Sequence, residues 1–170
     1  MRQTNHIEQK VLEQDEQKAY EYALKLLTRR EYSRKELYLK LKQRYGHELA
    51  AETLQHCIRA NLQSDERYTQ MLARHMVYQG YGPIKFAMSC KSQNISSEIS
   101  QTILQETDWL EVCVEIMRKK APRYLNEGED AQAKPDFAQK QKIMAMLYRR
   151  GFTSTLISEA LEAYARKTDF

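Results

Sequence analysis

The residues that could bind a metal ion or act as nucleophiles are scattered along the chain. His47, His56 and Cys57 come nearest to a metal-binding set, but nine positions separate the two histidines and no second pair of ligands follows. Serine, histidine and acidic residues occur without a nucleophile motif, and the sequence has no glycine-rich phosphate-binding loop. The sequence therefore predicts no catalytic residue, no metal site and no cofactor.

Basic residues, in contrast, form two groups along the chain. Between Arg29 and Arg44 there are seven basic and two acidic residues, a net charge of +5 in a chain whose net charge is +4. The second group surrounds Arg149 and Arg150. Such groups could contact an acidic protein surface or DNA phosphate, although a solvated helix face is the ordinary alternative. The candidate partner-binding residues are Arg34, Lys35, Lys40, Lys42, Arg44, Lys85, Lys140, Lys142, Arg149 and Arg150.

Both basic groups lie in a short helical phrase that occurs three times. Each copy has two apolar residues four positions apart, basic residues around them, a helix end and a second apolar run. Successive copies are 49 and 57 residues apart. Residues four apart lie on one face of a helix, and a helix of this length cannot bury that face alone. The pairs are Leu37 with Leu41, Phe86 with Cys90, and Ile143 with Leu147.

Composition and repetition together predict the fold class. The chain has 5 glycines and 3 prolines in 170 residues, so helix breakers are few, while residues that favour helices dominate. Self-similarity at this period is typical of repeat proteins, which present a surface to another macromolecule rather than enclose a catalytic pocket. The sequence therefore predicts an all-α tandem array of three three-helix repeats.

Signals for helix starts and ends divide the chain. Residues 1–17 are polar and are predicted to be an extension, frayed or weakly helical. The three repeats are predicted at residues 18–64, 65–106 and 107–165. Within the third repeat, residues 126–136 are acidic and rich in turn formers, which predicts a mobile surface loop.

Individual helix caps can also be predicted. Ser33 followed by Glu36 is the pattern of a capping box at the start of a second helix. Asn94 is expected to end a helix, because asparagine tolerates the left-handed conformation. Ser96 or Ser97 should cap the helix that follows.

The three cysteines, Cys57, Cys90 and Cys113, are widely separated and lie at apolar helical positions. This placement predicts buried free thiols and a reducing compartment. No apolar run approaches the roughly 18 residues of a membrane-spanning helix, and the N-terminus has no apolar stretch typical of a signal peptide. We therefore expect a soluble, cytosolic protein without a membrane partner.

Several short motifs occur in a fixed order between about Ala19 and Leu161. They are Ser33-Arg34-Lys35-Glu36-Leu37 with Lys40-Leu41, Asp65 with Tyr68, Gly80-Tyr81-Gly82-Pro83 with Ile95-Ser96, and Lys142-Ile143 with Leu147 and Arg149-Arg150-Gly151-Phe152. No single motif is specific. In their order and spacing together, the chain resembles the RecX family, the small bacterial proteins that regulate the recombinase RecA.

The chain departs from the family pattern at several positions. Where the second repeat of the family has a basic residue, Ile, and later Glu-Leu with Gly, this chain has Lys85-Phe86, Ser89-Cys90 and Asn94. In the first repeat, Asn61 and Tyr45 stand where the family commonly has glycine. Apolar character is kept at Phe86 and Cys90, so the departures concern the surface chemistry of the second repeat rather than its fold.

The resemblance implies an elongated, curved, all-helical molecule that lodges in the groove of the RecA filament on DNA. There the family restrains RecA activity, including ATP hydrolysis and strand exchange, and shortens the filament. It thereby modulates recombination and DNA repair without catalysis of its own. The implied partner is RecA as a nucleoprotein filament, with DNA phosphate contacts left open, and the protein is expected to be a monomer.

Two other functions remain as alternatives. Short helices with basic faces could grip a DNA duplex directly, as helix-turn-helix proteins do. Such a protein needs a recognition helix with base-reading residues at its N-terminal end, and none of the three phrases shows a convincing one. An enzyme would need a convergent polar pocket, and no set of residues in the sequence predicts one.

Overall fold

The computed structural model describes residues 2–121 and 137–167, and the side chains of residues 15–121 and 137–164. All regular secondary structure in these residues is helical, which confirms the all-α prediction. The described helices are α1 (Arg2–Leu27), α2 (Arg34–Tyr45), α3 (His47–Arg59), α4 (Asp65–Gln79), α5 (Pro83–Ser92), α6 (Ser97–Glu106), α7 (Trp109–Lys120), α8 (Phe137–Arg150) and α9 (Ser154–Lys167). The predicted acidic loop at 126–136 lies outside the described residues.

The described residues group into two compact units. The first unit draws on Met1–Met71 and Ser92–Ile99, and the second on Leu72–Lys91 and Ser100–Phe170. Helices α1–α3 therefore belong to the first unit and α7–α9 to the second, while α4, α5 and α6 contribute residues to both. The division into three repeats with the boundaries given above stays a prediction.

In the first unit, α1 packs on α2 and α3 around one apolar core. The predicted pair Leu37 and Leu41 is fully buried there, together with Ala23, Ala50 and Cys57. Helix α2 begins where the capping-box pattern places it, because the Ser33 hydroxyl accepts a hydrogen bond of 3.0 Å from the backbone N–H of Glu36. This cap fixes the position at which the basic residues of α2 begin.

Helix α1 is longer than the sequence signals indicate. Residues 2–17, predicted as a frayed or weakly helical extension, form the N-terminal part of the same helix that runs to Leu27. The stretch has few apolar residues, so its periodicity gives no core-facing signal. It also has no proline or glycine that would end a helix.

In the second unit, α7, α8 and α9 enclose the other large core. The predicted pair Ile143 and Leu147 is buried in it, as are Met117 and Phe152. The third predicted pair, Phe86 and Cys90 on α5, is also buried. The Phe86 ring lies 5.6 Å, centroid to centroid, from the ring of Trp109. All three apolar pairs therefore face the interior, as their spacing predicts.

Several helices end at residues in the left-handed conformation. Asn94 has a φ of 56°, which confirms the predicted helix end, and Asn61 has a φ of 55°. Asparagine adopts this conformation more readily than most residues. The following helix α6 is capped by Ser96 rather than Ser97, because the Ser96 hydroxyl accepts the N–H of Ile99 at 3.3 Å. The departures to asparagine therefore preserve the helix ends.

The three cysteines are free and buried, as predicted. Burial raises the pKa of the Cys90 thiol to about 11 and that of the Cys113 thiol to about 12, and it raises the pKa of Cys57. Burial has this effect because it disfavours the charged thiolate. The thiols are therefore protonated at neutral pH and act as small apolar core residues.

We expect Cys113→Ala to make the protein less sensitive to alkaline pH. A thiol has an ordinary pKa of 9.0, so the stabilisation from burying the neutral Cys113 thiol is complete below pH 9 and is lost as pH rises toward the native pKa of about 12. Between about pH 8 and pH 10.5, wild type should lose about 2 kcal/mol more unfolding free energy than the variant, measured by urea unfolding. The cavity left by the substitution costs the same at both pH values. Parallel losses in the two proteins would contradict the expectation.

Candidate partner-binding surface

Charge is distributed unevenly among the helices of the three phrases. The second helices, α2, α5 and α8, carry five, two and four basic residues, eleven in all, and only one acidic residue, Glu36. The helices that follow them, α3, α6 and α9, carry six acidic and three basic residues. The excess of basic residues is therefore concentrated in the second helix of each repeated segment, α2, α5 and α8. The net charge of +4 for the whole chain does not show this concentration.

Glu36, the one acidic residue of these second helices, is neutralised within the first unit. Its carboxylate accepts hydrogen bonds from both terminal nitrogens of the Arg30 guanidinium, one of them at 3.0 Å. This hydrogen bonding outweighs partial burial and raises the pKa of Arg30. Arg30 also lies over the ring of Tyr32, with 3.8 Å from its guanidinium carbon to the ring centroid. The pair leaves the remaining cations of α2 without an acidic neighbour on their own helix.

The first two candidate residues of α2 have contacts inside the first unit. The backbone N–H of Arg34 donates to the Asp65 carboxylate at 2.7 Å, and the Arg34 guanidinium lies 4.0 Å from the other oxygen of that carboxylate. The Lys35 ammonium donates to the backbone carbonyl of Ser92 at 2.7 Å. Next to it, the Ser33 hydroxyl donates to the Gln93 side chain at 2.7 Å. Lys35 therefore joins the start of α2 to the end of α5, and it is less available to a partner than its position in the sequence indicates.

The later candidates of α2 form no ion pair with another described residue. Lys42 and Arg44 are exposed, and Lys40 is partly exposed. The Arg44 guanidinium carbon lies 4.9 Å from the ring centroid of Tyr22, a distance at which cation–π attraction is effective. The Lys42 ammonium lies 5.9 Å from the ring centroid of Tyr38. These rings hold the cations at the surface without neutralising them, so the charges remain available to an anionic partner.

In the second unit, Arg150 has a structural role. Its guanidinium donates to the backbone carbonyls of Gln79 and Gly80, each at 3.0 Å. The Arg150 carbonyl in turn accepts the N–H of Gly82 at 2.8 Å. Arg150 therefore fastens the loop between α4 and α5 to the end of α8. Its neighbour Arg149 is exposed, although both were predicted as partner contacts.

The other candidates of the second unit also differ in how exposed they are to solvent. Lys85 is partly buried, and its ammonium lies 4.3 Å from the ring centroid of Tyr81. Lys140 and Lys142 are exposed on α8 and form no ion pair with another described residue. Six of the ten candidates are exposed, and they are Arg34, Lys42, Arg44, Lys140, Lys142 and Arg149. Of these six, only Arg34 forms an ion pair within the described residues, with Asp65.

Sequence reasoning missed two features of these helices. Tyrosine rings lie beside several of the cations. Tyr38 and Tyr81 precede Lys42 and Lys85 by four residues, a spacing that the sequence displays, whereas Arg44 reaches Tyr22 of α1 only through the packing of two helices. The side chains of Ile84 and Met88 on α5 are exposed by 46% and 66%, although both are large and apolar. Their spacing of four residues is the signal that could have drawn attention to a second apolar face on α5.

The described residues show neither a metal-binding cluster nor a membrane-spanning helix. Among the described residues, no group of three or more His, Cys, Asp and Glu side chains is placed to hold a metal ion. No described helix combines the length and the apolar composition that crossing a membrane requires.

Comparison with known proteins identifies the family. Two family models match, RecX first three-helix domain at residues 19–57 and RecX third three-helix domain at residues 106–161. A protein named Regulatory protein RecX from Legionella pneumophila (strain Corby) is 35% identical over 85% of this chain and 93% of its own length. A relative with the same name from Haemophilus influenzae (strain PittEE) is 34% identical over 80% of this chain and 88% of its own.

A solved structure shares the fold. The crystal structure of RecX from Lactobacillus salivarius superposes with a TM-score of 0.73 and 24% identity, covering 89% of this chain and 97% of that one. The two matched domains contain the two apolar cores formed by α1–α3 and α7–α9. These matches confirm the resemblance found in the sequence motifs, and the chain belongs to the RecX family of regulatory proteins.

Proposed function

We propose that this protein binds the filament that the recombinase RecA forms on DNA, and that binding lowers RecA's ATP hydrolysis and strand exchange. On this proposal the protein modulates recombination and DNA repair and has no catalytic step of its own. Family membership supports it, because the relatives are named regulatory proteins. The free, buried thiols are compatible with the cytoplasmic location that the proposal includes.

The observation that carries the proposal is the distribution of charge among the helices. Eleven basic residues against one acidic residue on α2, α5 and α8 favour binding to an anionic partner. A nucleoprotein filament offers acidic protein side chains and DNA phosphates over a long distance. The exposed cations of both units, such as Arg44 and Lys142, are the residues through which we propose contact.

The strength of binding should come from many weak contacts acting together. An exposed ion pair contributes about 1 kcal/mol or less, so no single cation can dominate. Contacts made by both units of one chain reinforce each other, because the first contact raises the effective concentration of the second. Binding should weaken as salt concentration rises, since screening reduces every such contact.

The proposal is tested by measuring RecA ATP hydrolysis on single-stranded DNA while this protein is titrated in. We expect inhibition at concentrations well below that of RecA, because one bound molecule would affect a run of filament subunits. A preformed filament should be inhibited as well as one assembled in the presence of the protein. An unchanged rate of hydrolysis at concentrations equal to RecA would refute the proposal.

The alternative that the protein acts on DNA directly is an outcome of the same experiment. If inhibition arises because the protein occupies DNA, it should require amounts sufficient to cover the DNA and should disappear when DNA is added in excess. Inhibition of that kind would show that the partner of this protein is DNA and not the RecA filament. Binding to labelled single-stranded DNA in the absence of RecA gives the corresponding affinity.

A further inference from the structure

Helix α5 presents an apolar face to solvent in addition to the one it buries. Phe86 and Cys90 face the interior and are 0% and 1% exposed, whereas Ile84 and Met88 are 46% and 66% exposed. At 100° per residue, positions 84 and 88 lie about 160° away from Phe86 around the helix and on the same side as each other. The exposed pair is therefore a distinct outward face, one helical turn long.

The equivalent positions of the other second helices differ. Counting from the buried pairs, Ile84 corresponds to Lys35 and Gln141, and Met88 corresponds to Leu39 and Ala145. Leu39 is 51% exposed, but its partner position is the polar Lys35. Among α2, α5 and α8, only α5 has large apolar side chains at both outward positions. The feature thus belongs to the middle phrase, where the chain also departs from the family pattern.

The backbone beneath this face is held firmly. The N–H of Ile84 donates to the Gly151 carbonyl at 3.0 Å, and the preceding Gly82 N–H donates to the Arg150 carbonyl at 2.8 Å. Both bonds tie the first turn of α5 to the end of α8 within the second unit. A face that is already ordered loses little conformational freedom when it binds, which favours affinity.

The charges around the face indicate what kind of partner it fits. Helix α5 carries Lys85 and Lys91 and no acidic residue, and the end of α8 that is bonded to its first turn carries Arg149 and Arg150. A large apolar pair gains free energy only where water is excluded by another apolar surface, and methionine adapts well to such surfaces. A phosphate backbone offers no such surface, whereas a protein pocket with carboxylates at its edge offers both contacts.

We propose that Ile84 and Met88 insert into an apolar pocket, bordered by acidic side chains, on the surface of a protein partner. This inference rests on the proposed function, under which the pocket belongs to the protein subunits of the filament rather than to its DNA. The apolar pair acts as the anchor of the interface, and the surrounding cations give it orientation and association rate.

The test is the double variant Ile84→Gln/Met88→Gln, with Leu39→Gln as the matched control. Glutamine keeps length and helix propensity but removes apolar surface, and all three positions are exposed, so folding should be retained. Binding of each protein to filaments assembled on single-stranded DNA is measured at low and high salt. We expect the double variant to bind roughly tenfold more weakly or worse, and Leu39→Gln to stay within about twofold of wild type.

Two further measurements distinguish an apolar protein contact from a contact with DNA: the affinities at two salt concentrations, and binding to single-stranded DNA without the recombinase. Since the lost contact is apolar, the ratio of wild-type to variant affinity should be nearly the same at both salt concentrations. Wild-type binding with unchanged affinity of the double variant overturns this inference and leaves the proposed function intact. Failure of wild type to bind filaments overturns both. A matching loss of affinity for single-stranded DNA without the recombinase would overturn the assignment of the face to a protein.

Discussion

Replacing Gly82 with alanine should lower the free energy of unfolding by about 3 kcal/mol. A Cβ at this position would lie 2.4 Å from the Gly151 carbonyl oxygen and 2.7 Å from the Phe152 backbone nitrogen, and neither backbone atom can rotate away. The substitution would also displace the Gly82 N–H from the Arg150 carbonyl, to which it now donates at 2.8 Å. Overpacking of this kind costs about 1–3 kcal/mol, and a broken buried hydrogen bond adds to it. Urea unfolding monitored by circular dichroism measures the loss.

Gly46→Ala is the matched control for this prediction. Gly46 has a φ of 83°, so an alanine there is strained, but no atom lies within 4 Å of the added Cβ. The ψ of 177° at Gly46 places it in a region that is essentially restricted to glycine, so the expected cost is about 2 kcal/mol from backbone strain alone, less than that of Gly82→Ala. If the two variants lost equal stability, the close approach of α5 and α8 would not be the cause, and general sensitivity to glycine replacement would explain both results.

The helices and their buried faces could be predicted from the sequence because the signals are local. The pairs Leu37 with Leu41 and Ile143 with Leu147 follow the helical period, and the cap at Ser33 needs only the four residues that form it. The stop at Asn94 likewise reflects the backbone preference of one residue. Each of these features depends on interactions within a single turn of chain, which a sequence displays directly.

The roles of the individual cations could not be predicted in this way. Arg149 and Arg150 are adjacent and chemically identical, yet one is exposed while the other bonds to carbonyls about 70 positions away. Lys35 likewise donates to Ser92, which is far from it in sequence. The packing of helices that are distant in sequence determines which cation donates a hydrogen bond to a backbone carbonyl. The sequence therefore shows which helices are basic, but it does not show which of their cations donate to backbone carbonyls and which are exposed to solvent.

The same distinction applies to the outward face of α5. An apolar residue in a helix is ordinarily assigned to the core, and the pattern of α5 contains two apolar pairs, each four residues apart. Periodicity within α5 does not distinguish the two pairs, whereas the 49-residue spacing of the repeat, which aligns Phe86 and Cys90 with Leu37 and Leu41, selects the buried one. The sequence does not show whether a neighbouring helix covers Ile84 and Met88, and in the structure both remain exposed.

Charge reversal at the exposed cations should weaken inhibition strongly. We expect Lys42→Glu/Arg44→Glu in the first unit, and Lys142→Glu/Arg149→Glu in the second, each to raise the concentration for half-inhibition of RecA ATP hydrolysis by roughly tenfold or more. Each reversal removes an attraction of about 1 kcal/mol or less and adds a repulsion of similar size, so two reversals together can exceed the ~1.4 kcal/mol of a tenfold change. The quadruple variant should lose more inhibition than either double variant, because it weakens the contacts of both units with the filament.

The double variant Arg59→Glu/Arg74→Glu controls for the change in net charge. Both arginines are exposed on helices outside α2, α5 and α8, so this variant alters the charge by the same amount without touching the proposed surface. It should inhibit RecA nearly as well as wild type. Arg150→Glu serves a different purpose, since its bonds to Gln79 and Gly80 make loss of stability the expected result. If the α2 and α8 reversals have no more effect than the Arg59/Arg74 control at physiological salt, their cations are only solvated surface, and contact must depend on other residues.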